Sequence, residues 1–193
     1  MPNWCSVSYA IEGDTKEVKN LYELMKGLQE RKEPSIPNGF GTTWLGCLVD
    51  ALGGDWHETR CRGEWGNLEM NDGVLKFTTE TAWCPCDETF ELVCRSFPTL
   101  RYYYQSEEPG MAEYWTNDTE GKYFPDKYIA DLCTPDGECH KEYFSDLTGL
   151  FKWFEEISGQ PVKSIGEISV IAEQWSSESK DAFCQIYEYS ISD

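Results

Sequence analysis

The side chains that could do chemistry in this chain are nine cysteines, two histidines and 35 carboxylates. Cys84-Pro85-Cys86 stands just before a helix start, where amide dipoles favour a thiolate. A reactive thiol is one reading of that pair and ordinary buried thiols are the other. A nucleophilic cysteine wants a base, and the two histidines, His57 and His140, are both distant in sequence. Cys133, Cys139 and His140 come nearest to a metal cluster, with Thr134-Pro135-Asp136-Gly137 able to turn the chain so that the thiols meet. Structural zinc takes four ligands in paired short spacings. No fourth ligand is evident, and Cys84 and Cys86 are only outlying candidates. No metal or other cofactor is expected.

The carboxylates do not organise into an acid–base pair. Glu107-Glu108, Asp87-Glu88 and Glu155-Glu156 are sequence neighbours, and adjacent side chains on a strand or helix diverge. Asp87-Glu88 reads more simply as charge at a helix N-terminus. The acids between Asp126 and Glu138 lack calcium-loop spacing. There is no phosphate-binding glycine loop, dinucleotide fingerprint or nucleophile elbow. The chain is read as non-catalytic.

Trp4, Trp44, Trp65 and Trp83 remain. Large aromatics bury area and wedge loops against a sheet, which is one reading. The other is a tryptophan-lined cleft, a candidate binding surface of Asn3, Trp4, Trp44, Trp83 and Glu108, with Asn3 or Glu108 as the polar anchor.

The elements that must position these residues follow from periodicity. Trp4 to Ile11 alternates with a period of two and reads as a strand. Gly13-Asp14-Thr15 breaks it and offers a helix cap, after which Val18, Leu21, Tyr22, Met25 and Leu28 mark a helix to about residue 31. Glu33 to Gly41 is a loop, and Thr43 to Leu52 a short helix. Asn71-Asp72-Gly73 is hairpin-turn chemistry between Trp56–Met70 and Val74–Thr81. A helix over Asp87–Ser96 stops at Pro98, and Leu100 to Ser106 is a strand. The order β-α-β-β-α-β is the split βαβ of the ferredoxin-like fold. An α+β protein with an antiparallel sheet is therefore expected over residues 1–124.

Residues 125–193 are read as a C-terminal α/β-hairpin elaboration packed on the same domain. Ala112–Thr116 with Lys122–Phe124 suggests an added hairpin, and Pro125 to Gly137 looks irregular. Phe144 to Ile157 reads as a helix. Glu167–Trp175 and Ala182–Ile191 read as strands around Ser176–Asp181, although a helix over Ile165–Trp175 fits the same apolar positions.

Charge excludes some function classes. The net charge is −19 from 35 acids and 16 bases. Residues 1–106 carry −6 and residues 107–193 carry −13. Such a surface repels phosphate backbones, so no direct nucleic-acid binding is expected. A ferredoxin-like sheet can stack bases on aromatics, but the first strand offers one ring on its outer face (Trp4, Ser6, Ser8, Ala10) and bases are scarce. The acidity suits a basic protein partner, or it serves solubility. No apolar run reaches membrane-spanning length and the first residues lack a leader's pattern, so the cytoplasm is expected. The odd cysteine number and their scatter, with Cys5, Cys94 and Cys184 inside apparent elements, predict free thiols without disulfides.

Four ordered patterns resemble the YubB-type ferredoxin-like family of phage and conjugative-plasmid proteins. They are Met1-Pro2-Asn3-Trp4-Cys5-Ser6, Phe40-Gly41-Thr42-Thr43-Trp44, Phe77 to Pro85, and Phe97-Pro98-x-Leu100 followed by Glu108-Pro109-Gly110. The resemblance spans roughly the first two-thirds of the chain. Cys84 and Cys86 depart from it, since the family more usually has Ser and Pro there. It implies the fold and a mobile-element origin, and carries no catalytic residues. The function expected is an interaction or accessory module. An acidic DNA mimic that blocks a restriction or other DNA-binding protein is the alternative, and a cryptic cysteine or metal enzyme the third.

Overall fold

β1 (Trp4–Glu12) sets the pattern for the first sheet: Cys5, Val7, Tyr9 and Ile11 are buried, whereas Trp4, Ser6 and Ser8 face outward. The computed structural model describes residues 3–192, so Met1 and Pro2 of the first family-like pattern lie outside the described residues. Asp14 ends β1 and caps α1 (Thr15–Gln29), its carboxylate accepting the amides of Lys16 and Glu17 at 3.0 and 3.4 Å. The apolar stripe Val18, Leu21, Met25 and Leu28 turns inward. α2 (Leu45–Ala51) follows the loop.

β2 (Gly63–Asn71) and β3 (Val74–Ala82) form the expected hairpin. Its turn places Asp72 and Gly73 at φ 51° and 78°, the left-handed pair that the twist of a two-residue turn requires. β2 begins at Gly63, well after Trp56, and bulges between Gly66 and Glu69. α3 (Asp87–Ser96) and β4 (Arg101–Glu108) complete the set. Strands β2, β3, β1 and β4 are neighbours in that order, and every pairing is antiparallel. β5 (Glu113–Thr116) and β9 (Ser190–Ile191) extend the sheet beyond β4. Tyr9 packs against Phe90 and Phe77 with centroids 4.1 and 5.1 Å apart, tying α3 to the sheet.

Several expectations for the second half are corrected. β5 pairs with β4, not with Lys122–Phe124. Pro109 cannot continue the strand, and Glu108 gathers the next amides into a tight turn that folds the chain straight back. Pro125 to Gly137 is not irregular throughout: it contains β6 (Tyr128–Cys133). It lies at the centre of a second antiparallel sheet, between β7 (Cys139–Phe144) and β8 (Phe183–Glu188). Phe144 closes β7, and α4 (Leu147–Ser158) starts after Asp146, whose carboxylate accepts the Gly149 amide at 2.9 Å.

Glu167–Trp175 is not a strand but part of α5 (Ile165–Glu178). Ser164 Oγ accepts the Glu167 amide, and the Glu167 carboxylate accepts the Lys163 amide at 2.6 Å. This reciprocal cap satisfies amides that a helix start leaves unpaired. The expected absence of disulfides is also overturned: Cys133 and Cys139 are bonded to each other. They stand directly opposite on β6 and β7, where cross-strand Cβ atoms lie within disulfide reach.

The chain divides into two compact units, one comprising the described residues through Asp118 with Ile191 and Ser192, the other Thr119–Ser190. Each has its own buried cluster, the first around Tyr9, Leu48, Phe77 and Phe90, the second around Leu132, Leu150, Phe154 and Trp175. The protein is thus α+β, with five helices and two mostly antiparallel sheets among the described residues. No helix among them is long and apolar enough to cross a membrane.

Candidate functional site

Three of the sequence-predicted segments converge at one end of the first sheet. Trp4 on β1 pairs with Ala82 on β3, and the next residue, Trp83, donates its amide to the Asn3 carbonyl at 2.9 Å. Thr81 Oγ1 closes the turn from within, donating to the Cys84 carbonyl at 2.9 Å and lying 3.3 Å from the Cys5 carbonyl. The clasp holds Trp83 at φ 75°, a conformation that costs a bulky residue of order 1–3 kcal/mol and persists only where neighbours impose it.

Trp4 and Trp83 expose 46% and 44% of their surface, well above the 8% and 2% of Trp44 and Trp65. Indoles normally contribute their large area to a core. Two of them left open, one on β1 and one just past the end of β3 at a strained backbone position, mark this end of the sheet.

The turn between β4 and β5 supplies the third segment. Glu108 is 2% exposed, and its carboxylate accepts the amides of Gly110 and Met111 at 2.9 and 2.8 Å. Its anionic oxygens therefore hold the backbone and are not offered as an anchor to a ligand. Gly110 is needed for close approach: a Cβ there would stand 2.6 Å from Asn3 Nδ2 and 2.8 Å from Glu108 Oε1. Asn3 acts through its main chain and by packing on that glycine. Met111, 59% exposed, rides on the same turn.

Trp44 is not brought to this surface. It stands beyond the outer edge of β2, bridged to Glu64, and so lies three strand spacings of about 4.8 Å from β1. It packs edge-on to Trp56 at 5.2 Å and parallel to Phe40 at 6.4 Å, as part of the core.

Sequence reasoning missed the acids beside the exposed indoles. Glu64, Glu80, Ser6 and Glu107 fall in one row across β2, β3, β1 and β4. Ser6 Oγ hydrogen-bonds the Glu80 carboxylate. Glu64 and Glu80 are directly opposed, an arrangement that destabilises a sheet. Alternation places Glu80 on Trp4's face, but only the strand register reveals the row.

The thiols are set against reactivity. Cys86, at the start of α3, is 1% exposed, and burial pushes its thiol up to about 12. Burial raises Cys84 as well, against the pull of Arg60. Desolvation thus outweighs the helix dipole, and both sulfurs stay protonated. His57 gives them no base: it stacks on Trp56 at 3.6 Å, and its Nδ1 lies 3.0 Å from the Asp55 carboxylate.

The proposed metal ligands separate for a stereochemical reason. The disulfide removes the thiolates of Cys133 and Cys139. His140 is their strand neighbour and leaves the opposite face, edge-on to Trp153 at 6.3 Å. Among the described residues no group of three or more His, Cys, Asp or Glu side chains is placed to hold a metal ion. Comparison of the chain with protein-family models, with curated proteins and with solved structures gives no match in any of the three.

Proposed function

We propose that the chain is a non-catalytic protein-interaction module whose contact surface is the Trp4–Trp83 end of the first sheet, and that its partner is basic there. The observation that carries this reading is the exposure of both indoles at the same end of the sheet, where the Trp83 amide bonds the carbonyl of the residue before Trp4, near the Glu64–Glu80–Glu107 row. Solvent-exposed tryptophans in a fixed frame are typical binding anchors, and arginine combines carboxylate pairing with stacking on an indole. Burying the row against cations would also relieve the repulsion between Glu64 and Glu80.

The first unit is proposed to be a ferredoxin-like domain of the YubB type, with the mobile-element origin that this resemblance implies. Support comes from the neighbour order β2-β3-β1-β4, with α1 linking β1 towards β2 and α3 linking β3 to β4. The DNA-mimic reading shares the basic partner and differs in its identity, a protein whose surface normally holds duplex DNA.

Titration with arginine-containing peptides and with basic DNA-binding proteins, followed by calorimetry, tests both. The double variant W4S/W83N should weaken binding at least about tenfold, since asparagine tolerates the backbone at position 83. Binding that survives the double variant unchanged contradicts the proposed surface. Release of a bound protein from duplex DNA by the chain selects the mimic; binding without release selects the general module.

A further inference from the structure

The Cys133–Cys139 bond differs in setting from every other sulfur in the described residues. Cys139 is exposed and Cys133 half-buried, at the turn end of the β6–β7 hairpin. The loop between them is already held without the bond. The Thr134 amide donates to the Glu138 carbonyl at 2.9 Å, the Gly137 amide to the Thr134 carbonyl at 3.0 Å, and the Glu138 amide to Thr134 Oγ1 at 3.1 Å. The disulfide therefore spans a turn that needs no covalent closure.

Seven other cysteines are free thiols, so the chain is not built as a disulfide scaffold. A single accessible disulfide among retained thiols is the pattern of a bond that is made and broken. Internal scrambling is blocked by the register. Cys184 on β8 is opposite Leu132, and Phe183 is the residue opposite Cys133. Cys184 thus projects from the face away from the disulfide, and its thiol is pushed up to about 12 by burial and the Asp131 carboxylate.

The charges around the bond set its reaction partner. Asp136 and Glu138 lie in the loop and Asp131 is two residues along β6, while Lys141 stands opposite Asp131 and His140 Nε2 lies 3.9 Å from the Glu138 carboxylate, so acids outnumber bases around the bond. Glu138 and Asp136 also line a pocket of about 370 Å³ with Thr134, His140, Glu156 and Trp175, so the bridged loop is one wall of that pocket.

We infer that Cys133–Cys139 is a reversible thiol–disulfide exchange site that favours cationic or uncharged small thiols over anionic ones such as glutathione. The incoming thiolate attacks Cys139 Sγ, the exposed sulfur, forming a mixed disulfide as the bond to Cys133 breaks. The Cys133 sulfur leaves as a thiolate and takes a proton from water. A second thiolate attacks the small thiol's sulfur in the mixed disulfide and releases Cys139. Two small thiols are oxidised to one disulfide, and the protein gains two electrons and two protons. The local acids repel an anionic attacker at the first step.

The test follows reduction of the intact native chain by cysteamine, 2-mercaptoethanol and glutathione, reading the Cys133/Cys139 peptide by mass spectrometry after alkylation. Each rate is divided by that thiol's rate with an uncharged small disulfide, which removes intrinsic nucleophilicity. At low ionic strength the corrected rates should fall in that order, by about fivefold for each added negative charge on the thiolate. The spread should collapse in about 1 M salt and narrow in Glu138→Gln. Equal corrected rates at low salt overturn the preference. Resistance to all three thiols, under conditions that reduce the small disulfide, overturns exchange altogether.

Discussion

The two units treat the same amino acid in opposite ways. In the first, Cys5, Cys47, Cys61 and Cys86 are buried thiols that fill the core as small apolar residues, Cys5 within β1, Cys47 within α2, and Cys61 and Cys86 just before β2 and α3. In the second, two cysteines meet across adjoining strands and bond. Sulfur chemistry here follows from register and burial, which motif spacing alone does not reveal: spacing left a reactive thiol at Cys84/Cys86 as one reading, and made Cys133, Cys139 and His140 only weak metal candidates. Charge does not separate the units in the same way. Residues 3–118 with 191 and 192 carry 20 acids and 10 bases, a net −10, against 14 acids and 6 bases, a net −8, in 119–190. The excess that the sequence places after residue 107 is shared once Glu107, Glu108, Glu113 and Asp118 fall in the first unit.

The strongest way to break the comparison is to empty one core and watch the other. Phe90→Ala in the first cluster and Phe154→Ala in the second should each cost about 3–5 kcal/mol locally. Native-state hydrogen exchange should then show β1, β3 and β4 amides loosening in Phe90→Ala, and β6 amides in Phe154→Ala. Equal loosening of both sheets by either substitution would mean that the two clusters act as one.

Alkaline pH should sharpen the contrast. Burial pushes the Cys5 and Cys86 thiols from 9.0 up to about 12, and Cys61 to about 11. Cys184 is the second unit's titrating thiol, also at about 12. The folded state therefore holds these protons more tightly than the unfolded chain. The stability they contribute is intact below pH 9 and is lost as pH rises towards 11–12. The loss is on the order of 1 kcal/mol per pH unit for each buried thiol. Denaturant melts between pH 8 and 11, read by exchange in each sheet, should show the steeper decline in the first unit.

A smaller effect is expected at Ser164. Ser164→Ala removes the α5 cap and should cost about 1 kcal/mol, seen as a lower midpoint in urea. No change would mean that Glu167 and its contact with the Lys163 amide suffice.

Legibility in the sequence followed the same division. β1, α1, the Asn71–Gly73 hairpin, α3 and β4 were readable because their apolar residues keep one period and their turn and cap residues agree with it. The second unit was harder. Ile165, Ile168, Ala172 and Trp175 satisfy a helix, whereas the mixed β-branched run around them suggests a strand, and the cap Ser164-x-x-Glu167 was the signal that decides between them. β6 was obscured by prolines at 125 and 135, which flank the strand and lie outside its bounds. At the candidate site, Trp4 and Trp83 could be named from sequence, but the loss of Trp44 to the core and the use of Glu108 by backbone amides depend on which edge and turn each residue occupies.

The proposed contact surface rests on two of the chain's eight tryptophans. The most direct test is to follow the indole N–H resonances of the ¹⁵N-labelled protein while an arginine-containing peptide is added. The Trp4 and Trp83 signals should move together and saturably, while those of Trp44 and Trp65 stay in place. Saturable binding with Trp4 and Trp83 unmoved would contradict the proposed contact surface.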